Sequence, residues 1–338
     1  MKDVYQYAYV DGVAIKRSNM AKIAVTDGMA ADAVTKLLDA GHEVDLEPSS
    51  LDGFDAVVIR SATKMTQDAI AQAPQLKLIG RAGVGVDNID LDAATDAGIL
   101  VCNTPGSSTQ SVVELTIGHM LASTRHIATA DRDLRQGNWT KKSLRGTELS
   151  GKRIGFIGFG RIAQGVGRVA RALGMELHAF DPYLPAHVAD AENCKIHADV
   201  TDVFRLCTHI SVHCNLTDET HHLINRDTLG LMTGIGADGT DCGNHLVSCA
   251  RGGVVDETAV LEALNNGTLA SCALDVFEVE PAIENPLLNH PHFHGTPHIG
   301  AATKEAQQRI GFEMADLIID FFNGTTPNSV VNKSVLIE

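Results

Sequence analysis

The chain has 338 residues, beyond the ~100–200 of a single domain, so two domains are expected. Apolar residues at 44% and charged residues at 20% exclude intrinsic disorder and suit a globular protein. Lys+Arg 27 against Asp+Glu 42 leaves a net charge of −15. This lacks the basic surface by which nucleic-acid binders displace counterions, so an anionic partner must be held by a locally positive pocket.

No window approaches the ~20 apolar residues of a membrane span, and residues 1–20 lack the apolar core of a signal peptide. Cys102, Cys194, Cys207, Cys214, Cys242, Cys249 and Cys272 are odd in number and scattered, without a C-x-x-C pair. That argues against a disulfide framework or zinc ribbon and points to a reducing cytoplasm.

In chain order, β-rich apolar runs alternate with helix-period segments, the pattern of βαβ units and a parallel sheet. Residues 1–19 precede the first strand as an extension, either an ordered arm or a flexible tail. KIAVT (22–26) reads as a strand, followed by a helix with Val34, Leu37 and Leu38 on one face, then strands at 42–46, 55–59 and 99–102. Ser107 to Ile127 reads as one long helix, with Ser111 and Glu114 at capping-box spacing near its start. Residues 125–150 are polar and basic, without a strand signal.

A second alternating series begins at Gly151. RIGFI (153–157) is a strand, and its helix carries Ile162, Val166, Val169 and Leu173 as an apolar stripe. Strands follow at 176–180, 209–213, 245–249 and 272–276. Between the last two, Asp256 is suited to cap a helix that Gly267 ends. Ile310, Met314, Leu317, Ile318 and Phe321 give the C-terminus an amphipathic helix, closed by Asn323-Gly324.

Two glycine loops stand out. Gly158-Phe159-Gly160-Arg161-Ile162-Ala163 follows a strand and opens a helix in G-x-G-x-x-A form. Gly158 permits the tight turn, Gly160 lets backbone approach a pyrophosphate, and Ala163 lets the helix pack on the strand. The helix N-terminus then offers unpaired N–H groups to phosphates. Asp181, ending the next strand, is placed to accept the ribose hydroxyls of NAD and to repel the 2′-phosphate of NADP. The other loop, Gly83-Val84-Gly85-Val86-Asp87-Asn88, puts a carboxylate where a pyrophosphate would lie. It is left with the capacity to hold a small carboxylate through backbone N–H groups.

In doubly wound sheets ligands bind beyond the carboxyl ends of strands. Arg251, Glu280 and His298 fall at such ends. Hydride transfer on a 2-hydroxy acid needs a cation for the carboxylate and carbonyl, a proton carrier, and a carboxylate to orient that carrier. Those three residues supply them. Each alone has an ordinary structural explanation; together, beside a dinucleotide fingerprint, they form a catalytic candidate. His290, His292 and His294 alternate at ligand-like spacing, but no carboxylate or cysteine joins them, so no metal is expected.

RSATK (60–64), GRAGVGVDNIDLDAAT (80–95), NTPG (103–106), GTELSGKRIGFIGFGRIA (146–163), SCARGGVVDE (248–257), ALDVFEVEP (273–281) and TPHIGAATKEAQ (296–307) resemble the D-isomer-specific 2-hydroxyacid dehydrogenases from about Met20 onward. The resemblance implies two Rossmann-like doubly wound α/β domains, the first flavodoxin-like and discontinuous. Residues 1–106 plus 299–338 would bind substrate and residues 107–298 would bind NAD, with a cleft closing between them. Arg251 would hold the substrate carboxylate and carbonyl, His298 would carry the hydroxyl proton, and Glu280 would orient His298. Asp275 would hold the nicotinamide carboxamide, Arg161 and Ile162 the pyrophosphate, and Cys214, Cys249, Ala250 and Gly300 would line the dinucleotide. Substrate contacts would come from Arg60 and Ser61 for a phosphate, Gly83 and Val84 for a carboxylate, and Ser108, where the family often has Asn.

The implied reaction is NAD-dependent oxidation of 3-phospho-D-glycerate to 3-phosphohydroxypyruvate. The alternatives are a glyoxylate or hydroxypyruvate reductase, which needs no phosphate grip, and an NAD(H)-sensing, corepressor-like binding protein. The basic stretch Arg135–Arg145 reads either as a solvated loop or, by the resemblance, as part of a two-fold interface in a homodimer. Lys141 and Lys142 there would also draw in anionic substrate. Asn215 replaces a usual Pro, and residues 232–245 form a longer, glycine-rich loop. Long family members carry a C-terminal regulatory domain; this chain ends at Glu338, so feedback through such a module is not expected.

Overall fold

A computed structural model describes residues 7–10, 13–16 and 20–336. The chain divides into two compact units, Met1–Ser108 with Ala302–Glu338, and Thr109–Ala301. In the first, β1 (Tyr7–Val10) and β2 (Val13–Lys16) pair as an antiparallel ribbon. Five parallel strands follow: β3 (Lys22–Val25), β4 (Glu43–Leu46), β5 (Ala56–Ile59), β6 (Leu78–Arg81) and β7 (Leu100–Asn103). Their spatial order is β4-β3-β5-β6-β7. That is the flavodoxin-like order, with its reversal between β3 and β5. Every residue of β5 is buried, as expected of a parallel strand covered on both faces.

Helices α1 (Ala31–Asp39), α2 (Gln67–Ala71) and α3 (Leu91–Asp96) connect these strands. α1 buries Ala33 and Leu37, whereas Leu38, expected on that face, is half exposed. Small residues choose the face. α1 packs on the C-terminal helix, where a Cβ at Gly311 would lie 2.9 Å from the Ala33 methyl.

The second unit opens with α4 (Thr109–Thr124), close to the helix expected over 107–127, and α5 (Ile127–Arg135), which lies in the polar stretch where no helix was expected. His126, with a left-handed φ of 54°, separates the two. The expected capping box is not made. Ser111 donates instead to the Gly300 carbonyl at 2.7 Å, and the Glu114 carboxylate accepts from Gln110.

Then come β8 (Arg153–Ile157), α6 (Arg161–Ala172), β9 (Glu176–Phe180), α7 (Ala186–Ala191), β10 (Cys194–Ile196), α8 (Val200–Leu206), β11 (His209–Val212), α9 (Arg226–Leu229), β12 (His245–Ser248), α10 (Glu257–Asn265), β13 (Ser271–Leu274) and β14 (Phe293–Gly295). They form one parallel sheet ordered β10-β9-β8-β11-β12-β13-β14, a Rossmann arrangement with an added edge strand. α6 buries Ala163, Val166, Gly167 and Ala170. Val169 and Leu173, expected in its apolar stripe, are each 38% exposed, because small residues bring α6 against α4 and turn the larger ones outward. α11 (Lys304–Phe322) returns to the first unit.

The long loop at 232–245 is tied to the start of β8. Asp238 accepts from the buried Lys152 ammonium at 2.8 Å, and the Asp238 N–H donates to the Gly151 carbonyl. That ammonium pulls the Asp238 carboxyl down to about 2. Among the described residues no helix is long and apolar enough to cross a membrane.

Candidate active site

Three adjacent strands bring the catalytic candidates together. Ser248, Leu274 and Gly295 lie in one register row across β12, β13 and β14. The segments that leave this row carry Arg251, Asp275 and His298. Parallel pairing therefore collects residues distant in sequence at one edge of the sheet.

Asp275 is 1% exposed, and its carboxylate organises the last of these segments. Oδ1 accepts from Thr296 Oγ1 at 2.5 Å and from the Ile299 N–H at 2.8 Å. Oδ2 accepts from the Gly300 N–H at 2.9 Å. The Asp275 carbonyl also accepts from the His298 N–H at 2.9 Å. Four bonds thus fix a loop in which His298 has a φ of +52°. The sequence assigned Asp275 a cofactor contact and missed this brace, which only the fold reveals.

His298 Nδ1 meets Glu280 Oε2 at 2.8 Å. The other oxygen, Oε1, accepts from the Phe277 N–H at 3.1 Å. Burial raises the Glu280 carboxyl, but the His298 bond and charge, the Phe277 N–H and the Arg251 charge outweigh it and hold it below its ordinary value. An ionised Glu280 accepts the Nδ1 proton and leaves Nε2 for a substrate hydroxyl. Arg251 Nη1 donates to its neighbour's carbonyl, Ala250 O, at 2.6 Å. The next residue must be glycine, since a Cβ at Gly252 would lie 1.8 Å from the Phe277 carbonyl oxygen.

The reversal between β8 and β11 carries the glycine fingerprint. Gly158 has a φ of +84°, and a Cβ there would approach the Cys214 nitrogen to 2.9 Å. A Cβ at Gly160 would meet nothing within 4 Å, and Gly160 caps α6 without a side-chain bond. Open space at Gly160, at the start of α6, suits the close approach of a pyrophosphate. Asp181 accepts from the Phe159 N–H at 2.8 Å and the Tyr183 N–H at 3.0 Å, leaving acceptor capacity for ribose hydroxyls.

Arg161 is exposed and Ile162 half-buried, the latter packed against the core. Cys214 is half-buried, while Cys249 and Ala250 are buried. Burial pushes the two thiols up to about 11 and about 12 respectively, which makes them neutral lining groups. These residues fit NAD: Gly158, Gly160 and Arg161 would hold the phosphates and Asp181 the ribose.

Of the substrate candidates of the first unit, Arg60 and Ser61 follow β5 at the unit's own reversal between β3 and β5, Gly83 and Val84 follow β6, and Ser108 lies beyond β7. Asp27 was not singled out from the sequence, yet it builds the loop. Its Oδ2 accepts from the Arg60 N–H at 2.6 Å and the Thr63 N–H at 3.0 Å, and Oδ1 from the Thr63 hydroxyl at 2.6 Å. Asn88 donates to the Arg60 and Thr63 carbonyls, both at 2.6 Å. Burial raises the Asp27 carboxyl, but the Thr63 and Arg60 donors outweigh it and lower it. Ser61, between them, is exposed.

The Gly83 N–H, expected on a substrate carboxylate, donates in this structure to the Arg81 carbonyl at 2.8 Å, and the Val84 carbonyl accepts from Asn103. Ser108, expected to touch substrate, is 2% exposed. Among the alternating histidines, His294 packs on His119 and His292 on His126. No group of three or more metal-ligating side chains converges among the described residues.

Comparison with known proteins places the chain in a family. Residues 117–300 match the family described as "D-isomer specific 2-hydroxyacid dehydrogenase, NAD binding domain", so the cofactor is NAD. The chain is 43% identical to a D-3-phosphoglycerate dehydrogenase of Methanocaldococcus jannaschii, with 93% of this chain and 60% of that one covered. It therefore spans about 60% of that relative's length. It is 45% identical to a hydroxypyruvate reductase of Thermotoga maritima, covering 88% of this chain and 97% of that one. A D-lactate dehydrogenase of Aquifex aeolicus, solved with NAD and lactic acid, superimposes with a TM-score of 0.78 at 25% identity, over 90% of this chain and 96% of that one. With the matched domain spanning more than half its length, the chain belongs to the D-isomer specific 2-hydroxyacid dehydrogenases.

Proposed function

We propose that this protein oxidises 3-phospho-D-glycerate to 3-phosphohydroxypyruvate. The Glu280–His298 pair with Arg251 beside it carries the reading. His298 Nε2 takes the C2 hydroxyl proton while the Glu280 carboxylate stabilises the imidazolium through Nδ1. Arg251 holds the substrate carboxylate and polarises the forming carbonyl. NAD, when bound, accepts the hydride from C2. Arg60, on the loop built by Asp27 and Asn88, grips the phosphate, with Ser61 beside it.

The likeness to a hydroxypyruvate reductase over 97% of that relative favours one second reading, reduction of a small unphosphorylated 2-keto acid by the same triad. Two copies of the chain associate through α5 and the stretch after it. Seven free cysteines support a reducing compartment such as the cytoplasm.

Steady-state assays with NAD and NADP across phosphorylated and unphosphorylated D-2-hydroxy acids, in both directions, test these readings. The first expects preference for NAD and for the phosphorylated acid. It also expects Arg60→Ala to cut kcat/KM for that acid by about 10²-fold while sparing glycerate. Equal losses on both acids would remove the phosphate role and leave the second reading.

A further inference from the structure

Beneath the His298 loop lies a buried polar chain that the reaction itself does not use. It starts on α4 at His119, which is 4% exposed and faces β12 and β13 from below. His119 Nε2 lies 3.0 Å from Thr296 Oγ1. Thr296 Oγ1 lies 2.5 Å from Asp275 Oδ1, the atom that also takes the Ile299 N–H.

The proton order in this chain follows from donor and acceptor chemistry. A carboxylate only accepts, so the Thr296 hydroxyl gives its single proton to Asp275. Thr296 can then only accept from His119, which puts the ring proton on Nε2. Burial lowers His119 to about 4, and burial with the His119 ring lowers His294, packed against it at 5.1 Å between centroids, to about 4. Both rings are neutral at pH 7, so His119 acts as a fixed single donor.

Resting on the reaction proposed above, we infer that His119 is a positioning residue. Its Nε2–H holds the Thr296 hydroxyl, which turns Asp275 toward the backbone N–H groups that set His298 against Glu280. Without that donor, the hydroxyl is free to rotate and Asp275 loses its most constrained partner. The left-handed turn at His298 is then held by fewer bonds.

His119→Leu removes the donor at similar volume, whereas His119→Gln places an amide N–H near the position of Nε2–H. The Leu variant is expected to lose about tenfold in kcat with KM within about twofold, since small misplacements of a reacting group are costly in rate. The Gln variant is expected to recover most of that loss. Amide hydrogen exchange at Ile299 and Gly300, followed by NMR on the protein with NAD, should be about tenfold faster in Leu than in wild type and restored in Gln.

The exchange readout needs no turnover. A chain inactive on every acid tested would sink the proposed reaction while still leaving His119 on trial. Equal exchange and equal kcat in Leu and wild type would overturn the inference. Equal impairment in Leu and Gln would also overturn it, by making His119 merely a packing residue.

Discussion

His298 occupies a left-handed backbone conformation, φ +52°, of a kind that costs on the order of 1–3 kcal/mol and persists only where its surroundings impose it. Here Asp275 imposes it through bonds to His298 itself and to Thr296, Ile299 and Gly300 around it. Glu280 then decides which nitrogen faces the substrate. Glu280→Gln preserves shape but replaces a charge with an amide able to donate, so Nδ1–H is no longer enforced. We expect kcat/KM for oxidation to fall about 10²–10⁴-fold, read by steady-state kinetics, with the NAD dissociation constant unchanged. The same carboxylate sets an acid dependence of stability. Because its native pKa lies below the ordinary 4.5, it contributes stability above that value. The contribution is lost as acid titrates through the lower native pKa. The melting difference between wild type and Glu280→Gln should therefore be present at pH 7 and shrink toward pH 3.

At the scale of elements, the loop after β5 shows how a strand end becomes a binding surface. Its conformation depends on Asp27, which follows the neighbouring strand β3 and takes three donors from Arg60 and Thr63. Asp27→Asn turns an acceptor into a donor facing other donors, at about 1–3 kcal/mol for the unmet bonds. KM for the phosphorylated acid is expected to rise about tenfold with little change in kcat, alongside a lower melting temperature; calorimetry and kinetics on one preparation check both.

Asp27 also marks the reach of sequence reading. The glycine fingerprint, Asp181 and the Arg251–Glu280–His298 set were legible because their chemistry is local: a turn needs glycine, and a strand end needs a polar group. Asp27, Asn88, Thr296 and His119 were not, because each acts across a register or between a helix and a loop. Likewise β6, β10 and β14 escaped notice since short strands buried or edged in a parallel sheet carry no alternating pattern. Helix α5 escaped for another reason: its polar, charged composition reads as a loop, and it buries no residue whose spacing would mark an apolar face. The local bond of Gly83 to the Arg81 carbonyl and the burial of Ser108 were equally illegible, because nothing in their sequence neighbours announces either.

For the whole molecule, charge and exposed apolar surface pull in opposite directions. Each copy carries −15, which opposes association within the ~8–10 Å over which physiological salt leaves charges unscreened. Yet α5 buries none of its residues within the chain. It leaves Ile127 and Leu134 more than half exposed, and Trp139 just beyond it is 82% exposed. Such a run on an isolated copy is costly in water and gains by burial against a second one, with Arg135, Lys141, Lys142 and Arg145 easing the local repulsion between two acidic bodies. Sedimentation of the wild-type protein in 0.15 M salt is expected to give about twice the 36.0 kDa chain mass. The paired change Leu134→Glu and Trp139→Glu should return it to a single-chain mass with its fold, by circular dichroism, intact. A wild-type protein that sediments as one chain at every concentration, or a doubly charged variant that still pairs, would place the interface elsewhere or remove it.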